Sequence, residues 1–240
     1  MLKIDLIPCL SDNYAYLLQD GAGAVGVVDP SEPGPVEAVL KRLGLKLTHI
    51  FNTHHHFDHT GGNIDLKAAY GATVIGPGAD THRIPGIDIG VGECDIVPFG
   101  TTEATVIDIP AHTSGHIAFH FAKDAAVFTG DTLFAMGCGR LFEGTPADMF
   151  AAMRKLEALP GETQVYCGHE YTESNGRFAL TVEPGNAELI ARMESVRRLR
   201  AASRPTIPCS IADERATNPF MRAASAAELG ERRAAKDAFR

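Results

Sequence analysis

The stretch FNTHHHFDHTGGN, residues 51–63, places four histidines and an aspartate within six positions, His54 to His59. In extended backbone, side chains two apart lie on one side, so a strand end can aim His54 and His56 at one point while His55 turns away. Asp58 and His59 follow a change of direction and can face a second point nearby. Gly61 and Gly62 then permit a sharp turn before the next element. The spacing H-x-H-x-D-H differs from H-E-x-x-H, which sets two imidazoles at i and i+4 on a helix. Five titratable groups packed so closely carry a desolvation and repulsion cost. A divalent metal removes that cost, because it binds neutral imidazole and ionised carboxylate.

A closed metal site needs ligands from elsewhere in the chain. Three residues stand after apolar, β-like runs and beside small residues: His112 in IPAHTSGH, Asp131 in VFTGDTLF and His169 in VYCGHEYT. Such placement suits ligands on loops at one edge of a sheet. His49, His82 and His120 fall outside these stretches and read as ordinary histidines. The cysteines read as packed thiols rather than nucleophiles. DGAGAVGVVD lacks the following helix that a dinucleotide fingerprint requires.

The elements that would position these groups alternate through the first 170 residues. LKIDLIP, YAYLLQ, AVGVVDP, LTHIFNT, ATVIGP, CDIVPFG, TEATVIDIP, HIAFHFA, AAVFTGD and TQVYCGHE read as strands. VEAVLKRLG and NIDLKAAYG read as helices closed by glycine, and PADMFAAMRKLEALPG as a helix opened by proline. After about Glu170 the texture changes. NAELIARMESVRRLRAAS and AAELGERRAAKDAFR are helical in period, and RPTIPCSIADERATNPFM between them reads as a polar connection. The expectation is an α+β or layered domain followed by a helical appendage.

The chain has 240 residues, 45% apolar and 22% charged, as in an ordinary globular protein. A formal net charge of −8 disfavours nucleic acid as a partner. The N-terminal stretch lacks the pattern of a signal peptide, and no apolar run is long enough to cross a bilayer. Five scattered cysteines do not make a disulfide framework, so a cytoplasmic protein is expected.

THHHFDHTGGN, HTSGH, GDTLF and CGHEYT, in this order, resemble the motifs of the metallo-β-lactamase superfamily. The resemblance implies a four-layer αββα sandwich with a two-metal site at the sheet edge. His54, His56 and His112 would hold one metal, and Asp58, His59 and His169 the other. Asp131 would bridge both, and His116 would support the loop. Such a site suits hydrolysis of an acyl compound or a phosphoester, with Asp58 and Asp131 in the catalytic set. Ligand type favours zinc, and imidazole with carboxylate also accepts iron or manganese.

GCGRLFEGT, GHEYTESNGRFAL, VEPGN, TNPFMR and RRAAKDAF narrow the resemblance to the hydroxyacylglutathione hydrolase (glyoxalase II) family. That implies cleavage of S-D-lactoylglutathione to glutathione and D-lactate, the second step of methylglyoxal detoxification. Residues 1–170 would form the catalytic domain and 171–240 a helical glutathione-binding domain. Arg140, Phe142, Tyr171, Arg233 and Lys236 would contact the substrate. Arg233 and Lys236, three apart on a helix, share one face. Phe142 stands where some members have tyrosine, and Arg140 where some have lysine. A monomer is expected, with a small glutathione thioester as its partner and neither nucleic acid nor membrane. A single-iron glutathione persulfide dioxygenase of the same superfamily is the alternative.

Overall fold

In the computed structural model, which describes residues 1–239, the chain opens on a hairpin. β1 (Lys3–Cys9) and β2 (Asn13–Gln19) run antiparallel, with Cys9 opposite Asn13 beside the turn. β3 (Val25–Val28) continues the meander, and α1 (Pro33–Leu43) crosses to β4 (His49–Phe51), parallel to β3. The short α2 (Phe57–Thr60), then α3 (Asn63–Tyr70), lead to the parallel strands β5 (Thr73–Pro77) and β6 (Ile89–Val91). These six strands form one sheet in sequence order. α1 and α3 end where expected, at Gly44 and Gly71, both left-handed.

The second sheet starts with the antiparallel strands β7 (Ile96–Phe99), β8 (Thr102–Asp108), β9 (Ile117–Phe121) and β10 (Ala126–Gly130). A small hairpin, β11 (Leu133–Phe134) and β12 (Gly137–Cys138), precedes α4 (Pro146–Glu157). β13 (Gln164–Cys167) then pairs parallel to β10. α5 (Thr172–Val182) and α6 (Ala187–Ala201) follow. β14 (Cys209–Ser210) returns to the edge of this sheet, before α7 (Ile211–Thr217) and α8 (Ala226–Ala238).

Side-chain alternation builds the layers. In β2 every residue from Tyr14 to Leu18 is buried. Tyr14, Tyr16 and Leu18 join the large core between the sheets, while Ala15 and Leu17 join a second core with Val36, Leu40 and Leu66 of α1 and α3. A strand covered on both faces loses its polar alternation. The inter-sheet core is aromatic: Phe51 packs on Phe99, Phe119 and Phe121 with ring centroids 5.2–6.2 Å apart. The apolar stripe Met149, Ala152, Met153 and Leu156 of α4 adds to it. The result is the expected αββα sandwich with helices at its C-terminal end.

Two features of the C-terminal region depart from the sequence reading. The expected polar connection contains β14 and α7, and its S-I-A-D is a complete capping box between Ser210 and Asp213. α5, in TESNGRFALTV, has a weak apolar stripe around a glycine and gave no helical signal. The region after residue 170 is not an appendage packed on from outside. It supplies a strand to the second sheet and Ile207, Phe220, Met221 and Leu229 to the main core. Among the described residues no helix is long and apolar enough to cross a membrane, and all five cysteines are free.

Candidate metal centre

Loops after β4, β8, β10 and β13 bring His54, His56, Asp58, His59, His112, Asp131 and His169 together. Past β4 the chain is not extended as far as His59: His56 caps α2, and Asp58 and His59 lie in its first turn. The amides of Asn52 and Asn63 bond each other at 2.7 Å, and Asn52 also donates to the His59 carbonyl. This pins the loop at both ends.

Two triads result. His54, His56 and His112 direct ring nitrogens at one point, and Asp58, His59 and His169 direct a carboxylate oxygen and two ring nitrogens at a second, with these atoms within 4.8 Å of one another in each triad. His56 Nδ1 lies 3.2 Å from His54 Nε2 and 3.1 Å from His112 Nε2. Asp131 faces both triads. Its carboxylate oxygens stand 3.4 Å from His59 Nε2, 3.3 Å from His169 Nε2 and 3.4 Å from His112 Nε2.

The outer nitrogens are held by neighbours. His169 Nδ1 meets Asp12 Oδ1 at 2.8 Å, His59 Nδ1 meets Asp29 Oδ2 at 3.1 Å, and His112 Nδ1 donates to the Arg140 carbonyl at 3.0 Å. Such partners fix ring tautomer and orientation. Asn13 donates to Asp58 Oδ2. His116 stacks on His54, donates from Nδ1 to the Ile117 carbonyl and accepts the Asp131 backbone N–H on Nε2. Gly130, at φ 46°, lets the chain pass here, since a Cβ would stand 2.2 Å from Thr53 Oγ1. His55 turns outward to Asp80.

Asp12, Asn13 and Asp29 were not legible as site residues in the sequence. Asp12 and Asn13 lie at the turn between β1 and β2 and Asp29 just after β3, and only the folded chain brings them to the histidines. Asp29 also forms a compact group with His54 and His59. Its oxygens are already engaged by the Thr53 N–H, the Thr53 hydroxyl and His59, so it acts as a support.

The electrostatics fit a bound cation. Burial, then the neighbouring imidazoles, hold His54 well below the usual range and His56 down to about 4. Burial likewise lowers His112. That triad is therefore neutral, the form that coordinates metal. On the other side burial opposes ionisation but is overridden. His59 charge holds Asp131 well below the carboxylate range, and the hydrogen bond to His169 holds Asp58 low. Burial would lower His169, but Asp131 and Asp58 raise it to about 10. The carboxylates thus draw positive charge to this point. His59 Nε2 and Asp131 Oδ1 are buried, face one another and, among the described residues, lack a hydrogen-bond partner. Buried polar atoms are rarely left so, and a shared cation satisfies both. The residues present fit a divalent metal.

One pocket of about 530 Å³ joins this cluster to the C-terminal helices. Its wall includes His56, Asp58, His112, Asp131 and His169 together with Arg140, Phe142, Tyr171, Arg233 and Lys236. Tyr171 lies parallel on the His169 ring at 4.6 Å. Phe142, 60% exposed, sits against the rings of His56 and His112. Arg233 is only 6% exposed; it donates to the Cys138 carbonyl and to Asp237 and lies over Phe220. Lys236 donates to Ser174, and burial with nearby guanidinium charge lowers its pKa. Arg140 is the most exposed cation here, 3.7 Å from Asp237.

A profile of the metallo-beta-lactamase superfamily matches residues 11–169, and one of the hydroxyacylglutathione hydrolase C-terminus matches residues 170–239. The hydroxyacylglutathione hydrolase of Methylococcus capsulatus is 53% identical over 223 residues, covering 92% of this chain and 87% of that protein. That of Rhodospirillum rubrum is 55% identical over 226 residues, covering 94% and 88%. The crystal structure of ETHE1 from Myxococcus xanthus superposes with a TM-score of 0.74 at 27% identity, covering 98% of this chain and 90% of that one. By these matches the chain belongs to the hydroxyacylglutathione hydrolase family of the metallo-beta-lactamase superfamily.

Proposed function

We propose that the chain hydrolyses the thioester of S-2-hydroxyacylglutathiones, S-D-lactoylglutathione among them, to glutathione and the 2-hydroxy acid. What carries the reading is the continuity of one pocket from the two triads to three cationic side chains. His54, His56 and His112 would hold one divalent ion, Asp58, His59 and His169 a second, with Asp131 facing both. Zinc suits this mixture of imidazole and carboxylate, and iron or manganese would also bind. Bound there, the ions supply Lewis acidity and lower the pKa of water from 15.7 to about 7.

The chain's own residues do the rest. The two ionised carboxylates keep a proton acceptor beside the reacting carbonyl. Tyr171 and Phe142 wall the thioester and exclude water around it. Arg140, Arg233 and Lys236 attract the two carboxylates of glutathione, which a chain of net charge −8 would otherwise repel. A thiol has a pKa near 8.5, so glutathione leaves as thiolate with little proton assistance. In this reading residues 1–170 hold the metals and residues 171–240 supply most of the glutathione grip.

The direct test follows the loss of thioester absorbance with S-D-lactoylglutathione before and after chelation. Activity that survives complete metal removal overturns the reading. Oxygen uptake with glutathione persulfide, in place of thioester hydrolysis, would instead indicate the single-iron dioxygenase.

Lys236→Ala is expected to raise KM about tenfold, equivalent to about 1.4 kcal/mol, with kcat nearly unchanged. An unchanged KM removes Lys236 from the grip. Asp29→Ala is expected to weaken metal binding about 10–100-fold, because His59 then loses the partner that orients its ring. Titration of the apoprotein with zinc in competition with a chelator measures this. An affinity equal to that of the parent would show that Asp29 serves only the backbone of Thr53.

A further inference from the structure

Phe142 projects from the loop of residues 139–144, where Arg140, Phe142 and Glu143 are exposed, yet its ring is held against His56 and His112. The residue beside it explains how. Glu143 accepts two hydrogen bonds from the Arg83 guanidinium, NH1 to Oε1 at 2.5 Å and NH2 to Oε2 at 3.0 Å. Its Oε2 also accepts the Ser114 N–H at 2.8 Å and the Ser114 hydroxyl at 2.9 Å. None of Arg83, Glu143 and Ser114 lines the pocket.

Arg83 is itself anchored. Its Nε and NH2 donate to Asp80 Oδ1 at 3.0 and 2.5 Å. Asp80 is 1% exposed. Its other oxygen lies 3.2 Å from His55 Nδ1 and so close to Gly115 that a Cβ there would approach to 2.5 Å. The anchor therefore cannot follow the loop. One guanidinium ties together the His55 segment, residues 80–83, the Ser114–Gly115 turn and the 139–144 loop. Two of these segments carry the triad imidazoles His54, His56 and His112.

We propose that Arg83 is a positioning residue of this site: through Glu143 it holds the 139–144 loop, and with it Phe142, against the His56–His112 wall. The forked guanidinium bonds Asp80, Glu143 and Ser114 at once, which a point-charge ammonium does not. Arg83 and Glu143 are each more than a quarter exposed. Exposed ion pairs contribute little to global stability, so the Arg83–Glu143 link acts on placement of the loop, whereas removing Arg83 also leaves the buried Asp80 without its cation and lowers stability.

The kinetic part of this inference rests on the thioesterase reading, but the loop part does not. Hydrogen–deuterium exchange on the full-length metal-loaded protein reads the loop directly. Arg83→Ala is expected to speed exchange in residues 139–145 at least about tenfold, much more than in residues 54–60, with the metal content unchanged. Limited trypsin digestion should then cut after Arg140. With S-D-lactoylglutathione, KM should rise about three- to tenfold and kcat change less than about twofold. Arg83→Lys should fall between parent and alanine variant. In a Phe142→Ala background, Arg83→Ala should add almost nothing to KM, because the ring it positions is gone.

If the alanine variant fails to fold, Glu143→Gln provides the same test: it keeps the bonds to Ser114 and removes the charge facing Arg83. Parental exchange in the loop overturns the proposal, as do KM effects that add fully with Phe142→Ala. If the parent does not cleave the thioester, the thioesterase reading falls, and the exchange result still decides the role of Arg83.

Discussion

Asp131→Ala is expected to lower kcat/KM at least about 1,000-fold, about 4 kcal/mol of transition-state stabilisation, with metal lost from the purified protein. Asp131 is the residue whose carboxylate faces both triads, with nitrogens of His59, His112 and His169 at 3.3–3.4 Å. It is also one of only two carboxylates among the seven proposed ligands. Without it the cluster is five imidazoles and Asp58, which bind a pair of cations with much less charge compensation. The position is prepared by its neighbours. His116 Nε2 accepts the Asp131 N–H at 3.1 Å, and Gly130 before it makes a turn that a residue with a Cβ could not. Asp131→Asn keeps the shape and removes the charge. A comparable loss in that variant shows that charge, not volume, matters. Metal analysis and steady-state kinetics on both variants, with far-UV circular dichroism as the check on folding, are the measurements. Full metal content and parental kcat/KM in Asp131→Ala would overturn the two-ion assignment.

The second large effect lies outside the pocket. Glu214 on α7 is fully buried. It accepts hydrogen bonds from the Arg192 guanidinium at 2.6 Å, the Asn218 amide at 2.8 Å, the Met136 N–H at 2.9 Å and the Cys209 thiol at 3.3 Å. Asn218 in turn donates to the carbonyls of Phe134 and Gly137. One carboxylate thus joins α6, α7 and β14 to the β11–β12 hairpin, which leads to Cys138 and Arg140 in the pocket wall. Removing one partner of a buried pair leaves the other charge uncompensated. Glu214→Ala should therefore cost about 3–5 kcal/mol. At about 2–4 °C per kcal/mol for a chain of this size, the melting temperature falls by roughly 6–20 °C. Glu214→Gln retains an acceptor for the Met136 N–H and should lose less. Thermal unfolding followed by circular dichroism tests both. A melting temperature within a degree or two of the parent would show that Arg192 finds another partner.

Much of the fold was legible because it rests on local patterns. Buried strands such as YAYLL announce themselves by losing polar alternation, and helices by their glycine and proline boundaries. The weak elements escaped. β6, β11, β12 and β14 are two or three residues long. Segments that short show no period, and β14 pairs with β13 more than forty positions before it. α7 did carry a signal, the Ser210–Asp213 capping box, hidden within a stretch rich in proline and charge.

The sequence by itself determined the chemistry available: the H-x-H-x-D-H spacing, the later His112, Asp131 and His169 at ends of apolar runs, and the cationic face of the last helix. Those signals are matters of residue type and short-range geometry, which the chain states before it folds. Tertiary structure decided which groups support them. Asp12 meets His169 across 157 positions, and Glu143 meets Arg83 across 60. Nothing local marks such residues, because a carboxylate in a turn looks the same whether it faces water or a histidine. Their roles arise only when loops from separate strands pack at one end of the sandwich, where burial turns ordinary polar side chains into fixed hydrogen-bond partners.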